Sequence, residues 1–252
     1  MFSGFAGKIS FCRRGPDYSE ESQMALYAIG DLHLSLNGDK SMEVFGGRWE
    51  NYIEKIKIGF SELQEDDVCV LCGDIAWGLS MEEAREDFLF LSRLPGRKII
   101  LKGNHDYWWS TAAKAYQFFA KNGIEHMDIL NNNSYVYGDY AICGTRGWFY
   151  EEERGDAHNK KIMLREIGRL ETSLKSAGDR RKLVFLHYPP KYLGYQCEEL
   201  LALLDAYDVP LCCYGHIHSK GCAYAFQGMY HHTEMRLLSA DYLNFCPRKI
   251  LD

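Results

Sequence analysis

Asp31, His33, Asp74, Asn104, His105, His187, His216 and His218 are the residues of this chain whose types and spacing could do chemistry together. Carboxylates, imidazoles and an amide oxygen are metal donors, and this mixture suits Mn, Fe, Zn, Co or Ni better than the all-oxygen shell of Ca. Each group directly follows a short apolar run. Asp31 and His33 follow Ala25 to Ile29, and Asp74 follows Val68 to Leu71. Asn104 and His105 follow Lys98 to Leu101, His187 follows Leu183 to Leu186, and Gly215-His216-Ile217-His218 follows Leu211 to Tyr214. Such runs, closed by Gly and a polar cluster, read as buried strands. In open α/β sheets ligands gather beyond the carboxyl ends of the strands, so five strand ends would bring metal-binding side chains to one crevice. The pairs Asp31/His33 and His216/His218 are spaced i, i+2 and share one side of an extended chain. Gly30, Gly73, Gly103 and Gly215 precede these groups and permit sharp turns that bring backbone close to polar side chains and metals.

The elements that must position these residues alternate. Trp49, Tyr52, Ile53, Ile56, Phe60 and Leu63 fall on one helical face, Ser80 and Glu83 form a capping box ahead of a run to Leu94, and Met163, Ile167, Leu170 and Leu174 form a buried stripe. Ser134 to Tyr137 and Tyr140 to Cys143 read as a hairpin turning at Gly138-Asp139, and a helical stretch around Glu198 to Leu204 separates the last two buried strands. Cys222 to Phe226 and Met229 to Ser239 read as further strands around a turn at Gln227-Gly228. Strands alternating with helices, then a strand-rich end, predict an α/β core of two packed sheets. No repeat or Pro/Gly-rich linker divides the sequence, so residues 24–252 read as one domain. Residues 1–23 are weakly patterned and read as a peripheral tail or an extension from an upstream start codon.

Composition narrows the function classes. The 252 residues are 46% hydrophobic and 25% charged, as in ordinary globular proteins, and no apolar run is long enough to span a membrane. A net charge of −6 gives no broad basic footprint for long nucleic acid. The nine cysteines are irregularly spaced and mostly within apolar segments, which suggests reduced core thiols in a cytoplasmic protein. Cys69 and Cys72 form a CxxC within a strand-like run, where they would face opposite sides and pack rather than chelate.

In order along the chain, Asp31-Leu32-His33, Gly73-Asp74, Gly103-Asn104-His105-Asp106, His187 and Gly215-His216-Ile217-His218 resemble the five motif blocks of the calcineurin-like metallophosphoesterase superfamily. The resemblance implies a four-layer α/β/β/α sandwich of two mixed sheets flanked by helices, with a binuclear centre at one edge. It implies that Asp31, His33 and His218 hold one divalent ion, that Asn104, His187 and His216 hold the other, and that Asp74 bridges both. The implied reaction is hydrolysis of a phosphate mono- or diester, in which a metal-bridging hydroxide attacks phosphorus and His105 protonates the leaving oxygen. Asp106 would hydrogen-bond and orient a histidine. The implied partner is a phosphate ester, a small molecule rather than nucleic acid, while a nuclease or a metal-binding scaffold without catalysis are the other readings of the same site.

Departures from the superfamily bear on substrate. Gly73-Asp74-Ile75-Ala76-Trp77-Gly78 lacks the arginine of the protein Ser/Thr phosphatase motif, and Lys102 stands where those enzymes carry another. His105 stands where lipid-A-type pyrophosphatases carry Arg. The substrate phosphate therefore needs a different donor, for which Arg146 in Gly144-Thr145-Arg146-Gly147-Trp148 is the candidate. Trp108, Trp109, Trp148, Phe149 and Tyr150 are candidates for a cleft lining or for packing. His126 and His158 lie outside any ligand pattern, and the adjacent His231 and His232 should point to opposite faces of a strand.

Overall fold

The structure is a computed structural model that describes residues 24–38, 40–149 and 156–252; the segment 1–23, read from sequence as a tail, lies outside the described residues. The first half runs β1 (Leu26–Ile29), α1 (Tyr52–Phe60), β2 (Val68–Leu71), α2 (Arg85–Ser92), β3 (Arg97–Ile100), α3 (Ala112–Asn122) and β4 (Met127–Ile129). The second half runs β5 (Ser134–Tyr137), β6 (Tyr140–Thr145), α4 (Asp156–Ser176), β7 (Arg181–Leu186), β8 (Lys191–Tyr192), β9 (Tyr195–Gln196), α5 (Glu198–Ala206), β10 (Leu211–Tyr214), β11 (Gly228–Tyr230), β12 (Thr233–Leu237) and β13 (Arg248–Leu251).

Two mixed sheets result. The five-stranded sheet has the order β13-β1-β2-β3-β4 and the six-stranded sheet β11-β12-β10-β7-β6-β5. β1 to β4 pair in parallel and β13 closes that edge antiparallel. β6, β7, β10 and β12 pair in parallel, with β5 and β11 antiparallel outside them.

The alternation of side chains along each strand separates three cores. Ala28, Val70 and Cys72 face Ile142, Leu183, Phe185 and Cys213 between the sheets. Ile29, Cys69 and Leu71 point outward onto Ile56, Phe60, Phe88 and Phe119 of the first three helices. Cys143, Val184, Leu186 and Tyr214 point outward onto Leu170, Leu174, Leu201 and Leu204 of α4 and α5. This is the four-layer α/β/β/α arrangement, and it explains why β2 is apolar at every position: both its faces are covered. Cys69 and Cys72 lie in different cores, as their spacing implied, and no disulfide occurs among the described residues.

Two expectations fail near the end of the chain. Cys222 to Phe226 is not a strand: Ser219–Tyr224 forms a 3-10 turn, with Gly221 N–H donating to His218 O (2.9 Å). β12 instead pairs in parallel with β10 and antiparallel with the short β11. His231 and His232 lie in the turn between β11 and β12 rather than on a strand, with His231 in the left-handed region (φ 51°). Both rings reach Asp205, at 2.6 and 3.4 Å, so they share a partner instead of facing opposite ways.

Candidate metal centre

The carboxyl ends of β1, β2, β3, β7 and β10 meet at one edge. Asp31 N–H donates to Gly73 O and His33 N–H to Asp74 O, both at 2.9 Å, which locks the first two strand ends together. Gly215 N–H donates to His187 O (3.1 Å), joining the two ends from the other sheet. Asp31 (φ 60°), His33 (φ 47°), Asp74 (φ 51°) and His216 (φ 70°) all adopt the left-handed backbone. That conformation costs a non-glycine residue roughly 1–2 kcal/mol, and such strain concentrates at functional sites.

The preceding glycines allow the close approach of backbone to carboxylates that the sequence suggested, though few of them need a left-handed turn. Only Gly73 among the four is left-handed (φ 84°). Gly103 and Gly215 are needed for space, since a methyl on Gly103 would overlap Asp74 Oδ1 and one on Gly215 would stand 2.5 Å from Asp31 Oδ2.

Two groups of side chains result, each able to hold a cation. Asp31, His33 and His218 form one and Asp74, His187 and His216 the other, with the donor atoms of each group within 4.8 Å of one another. Asp74 Oδ2 stands between the groups, 3.6 Å from His33 Nε2 and 3.5 Å from His187 Nε2. Asn104 Oδ1 joins the second group, 2.6 Å from His187 Nε2.

Hydrogen bonding fixes which ring nitrogens face inward. His187 Nδ1 lies 3.0 Å from Cys72 O, and a carbonyl only accepts, so Nδ1 carries the proton and Nε2 presents a lone pair to Asn104 Oδ1 and Asp74 Oδ2. His218 Nδ1 likewise donates to Asp241 Oδ1 (3.0 Å), leaving Nε2 3.3 Å from His33 Nε2. Acceptor atoms brought this close repel unless a proton or a metal cation lies among them, so the donor set fits bound metal.

Burial sets the electrostatics. Asp31 is fully buried, and desolvation, reinforced by neighbouring Asp74, pushes it up to about 7 against the pull of His218. Asp74 is raised mainly by burial, and burial also depresses His33, His187 and His216 below the usual imidazole range. Without cations the site therefore favours neutral groups, and cation uptake must displace protons from the carboxylates.

Three neighbours of the centre escaped sequence reasoning. Asp241 accepts from His218 Nδ1 with one oxygen and from Ser219 N–H (2.8 Å) with the other. Burial disfavours charge on both partners, yet the hydrogen bond between them raises His218 and lowers Asp241. Its sequence signal is a carboxylate shortly after the apolar end of β12. Asp241→Ala is expected to weaken cation binding by about 10–100-fold, as loss of a partner behind a metal-binding histidine typically does; a chelator-competition titration would measure it, and wild-type affinity would remove Asp241 from the site. Trp77 stacks on His33 (ring centroids 5.0 Å) and tilts against His105 (4.5 Å). Arg48 reaches Asp241 O (3.3 Å).

Asp106 does not orient a histidine. Its buried carboxylate accepts N–H from Gly103 (2.7 Å), Asp74 (2.9 Å) and Ile75 (2.8 Å) and the indole N–H of Trp108 (2.9 Å). It braces the backbone that carries Asp74, because three amides at the end of β2 and the turn after β3 would otherwise be buried without partners. His105 N–H donates to Asp74 Oδ1 (2.8 Å), which sets its ring at the edge of the centre with Nδ1 unpartnered. Arg146 is adjacent rather than inside: its carbonyl accepts the amides of His187 and Tyr188, while its guanidinium approaches Glu166 (3.5 Å) and covers the ring of Trp148. Trp108 and Trp148 are buried packing, Trp109 is half-buried, Phe149 packs on Tyr195, and Tyr150 lies outside the described residues. His126 and His158 are exposed and away from the two groups.

The family profile of calcineurin-like phosphoesterases matches residues 24–220, a span that holds all seven converging donors. The chain belongs to that family. Membership makes it a metal-dependent phosphoesterase in general terms, and the two Asp/His groups are where this family member could bind divalent metals. A comparison with curated proteins gives no match. Solved structures share the fold at low identity. A phosphopantetheinyl hydrolase from Mycobacterium tuberculosis has a TM-score of 0.55 at 14% identity, over 91% of this chain and 96% of that one. A Thermus thermophilus protein has a TM-score of 0.53 at 13% identity, over 91% and 99%. A protein of unknown function from Aquifex aeolicus has a TM-score of 0.50 at 16% identity, over 90% and 95%. No helix among the described residues is long and apolar enough to cross a membrane.

Proposed function

We propose that the protein hydrolyses a phosphate mono- or diester of a small molecule at a binuclear centre. Asp31, His33 and His218 hold one cation, Asn104, His187 and His216 the other, and Asp74 lies between them. The observation that most supports this is the meeting of His187 Nε2, Asn104 Oδ1 and Asp74 Oδ2, a buried donor set that a divalent cation would satisfy. When bound, two divalent cations supply an acidified water as nucleophile and neutralise charge on the phosphoryl oxygens.

The residues of the chain do the rest. Cys72 O and Asp241 hold the tautomers of His187 and His218, the glycines keep Cβ atoms away from the carboxylates, and Asp106 fixes the backbone of Asp74. His105 gives a proton to the leaving oxygen. Arg146, beside the end of β7, adds positive charge for an anionic part of the substrate. Arg146→Ala should lower kcat/KM with metal content intact; steady-state kinetics beside metal analysis would check it, and wild-type kinetics would discard the role. Seven described cysteines are buried as free thiols, which suits a reducing, cytoplasmic compartment.

The test of function is the metal-free protein reconstituted in turn with Mn, Fe, Zn, Co and Ni, then assayed on phosphomonoesters, phosphodiesters and nucleotides. Turnover of none of them with two metals bound would discard catalysis in favour of a scaffold.

A further inference from the structure

Beside the metal centre lies a cavity of about 400 Å³ with an unbalanced charge. Among the described residues, Lys102, Arg146, Arg165 and Arg169 line it against one carboxylate, Glu166. They come from three parts of the fold: Lys102 follows β3, Arg146 follows β6, and the others project from α4.

Glu166 cannot neutralise this set. It is buried, and its oxygens are committed to Thr145 Oγ1 (2.6 Å), Arg169 Nη1 (2.6 Å) and the more distant Arg146 Nη2 (3.5 Å). Lys102 and Arg165 have no carboxylate partner among the described residues. Arg146 Nε is buried with no acceptor among the described residues. α3 adds its N-terminus at the same wall, capped by Thr111, with no acidic residue in its first turn to offset the positive end of the helix. Crowded cations at a wall that also carries the positive end of a helix are jointly what an oxyanion satisfies.

The cavity is also fixed relative to the metals. Lys102 precedes Gly103-Asn104, and Arg146 O holds the amides of His187 and Tyr188, so one of its cations stands on the segment that carries Asn104 and another on the segment hydrogen-bonded to the one that carries His187. None of the residues of the two Asp/His groups lines the cavity, so an anion held here would sit beside the metal donors rather than among them.

We propose that this cavity binds a second, non-scissile anionic group of the substrate, so that the ester cleaved carries a phosphate or carboxylate besides the phosphate under attack. This rests on the phosphoesterase reading for the first phosphate and on the cavity alone for the second. A lone phosphate monoester would leave the cations uncompensated. A substrate with two anionic ends would engage both.

Two measurements test it. Titration of the metal-free protein with inorganic pyrophosphate, followed calorimetrically, reads the cavity without any need for turnover. Binding is expected in the wild type, weakened about tenfold or more in Arg165→Ala/Arg169→Ala, the size expected when hydrogen bonds to charged groups are lost. Arg165→Ala alone leaves the Arg169–Glu166 pair in place and should weaken binding in the same direction. No binding, or equal binding in all three proteins, would overturn the site.

The second measurement is kcat/KM of the manganese-loaded enzyme on matched pairs: a nucleoside 5′-phosphate against its 3′,5′-bisphosphate, and glycerol 3-phosphate against 3-phosphoglycerate. Preference for the doubly anionic member of either pair, shrinking towards parity in the double variant, supports the proposal and says which anion is taken. Pyrophosphate binding without such a preference would overturn the second anion as part of the substrate. Failure to turn over any ester would instead refute the phosphoesterase reading, and the metal-free titration would still decide whether the cavity takes an anion.

Discussion

Asp74→Asn should strip the protein of bound metal and of activity while leaving the metal-free fold as stable as the wild type or more so. The reasoning begins with burial: Asp74 is 1% exposed, and desolvation raises its pKa, so the carboxylate is held in the metal-free state at a cost to stability. Asparagine is nearly isosteric and keeps an oxygen to accept the His105 amide that Asp74 Oδ1 now receives. Its NH₂ would point towards His33 Nε2 and His187 Nε2, which stand 3.6 and 3.5 Å from Asp74 Oδ2 and could accept from it. What it cannot do is offer two anionic oxygens to two cations. Thermal unfolding should therefore show a large rise in Tm for the wild type on adding Mn and little for the variant, because only a ligand that binds the native state shifts that midpoint. Elemental analysis should find fewer bound ions in the variant. Two tightly held equivalents in Asp74→Asn would remove the residue from its place between the cations.

The contrast between this centre and its surroundings shows what a sequence can carry. Asp31, His33, Asp74, Asn104, His187, His216 and His218 were legible because each polar donor breaks an apolar run at a strand end, and the parallel pairing of those strands puts their carboxyl ends together. The two-sheet core was legible for the same reason, in strands such as β2 that are apolar on both faces. Asp241 was not, since a lone carboxylate after β12 has no partner at i+2 and resembles any loop acid until β12 is seen to lie beside β10. Asp106 misled because adjacency to His105 in sequence suggested partnership, whereas the turn directs its carboxylate to the amides of Gly103, Asp74 and Ile75. The cationic cavity was invisible for a topological reason: Lys102, Arg146 and Arg165 meet only because the ends of β3 and β6, in different sheets, converge on one face of α4. Periodicity identifies elements, and it does not say which of their ends will share a wall. The left-handed backbone at Asp31, His33, Asp74 and His216 likewise had no sequence signal, because non-glycine residues rarely adopt it.

His105→Ala should retain both metals yet lose activity by an amount that depends on the leaving group. His105 contributes its backbone N–H to Asp74 Oδ1, an interaction alanine preserves, so the carboxylate between the cations keeps its position. Its ring packs on Trp77 and lies 5.6 Å, centroid to centroid, from His33. It belongs to neither of the two Asp/His groups. Its Nδ1 is buried with no hydrogen-bond partner among the described residues, so no neighbouring side chain holds the ring as a ligand. A positioned proton donor is typically worth about 10²–10⁴-fold when the departing oxygen is a poor leaving group, and much less when an activated phenolate leaves unaided. Alkyl phosphates should therefore lose most of their turnover in His105→Ala, and nitrophenyl phosphates distinctly less. An equal loss on both, with metal content intact, would reassign His105 to holding the phosphoryl oxygens in the transition state, because that role is independent of what departs. Loss of metal would place the imidazole among the cation ligands and end its assignment as the acid.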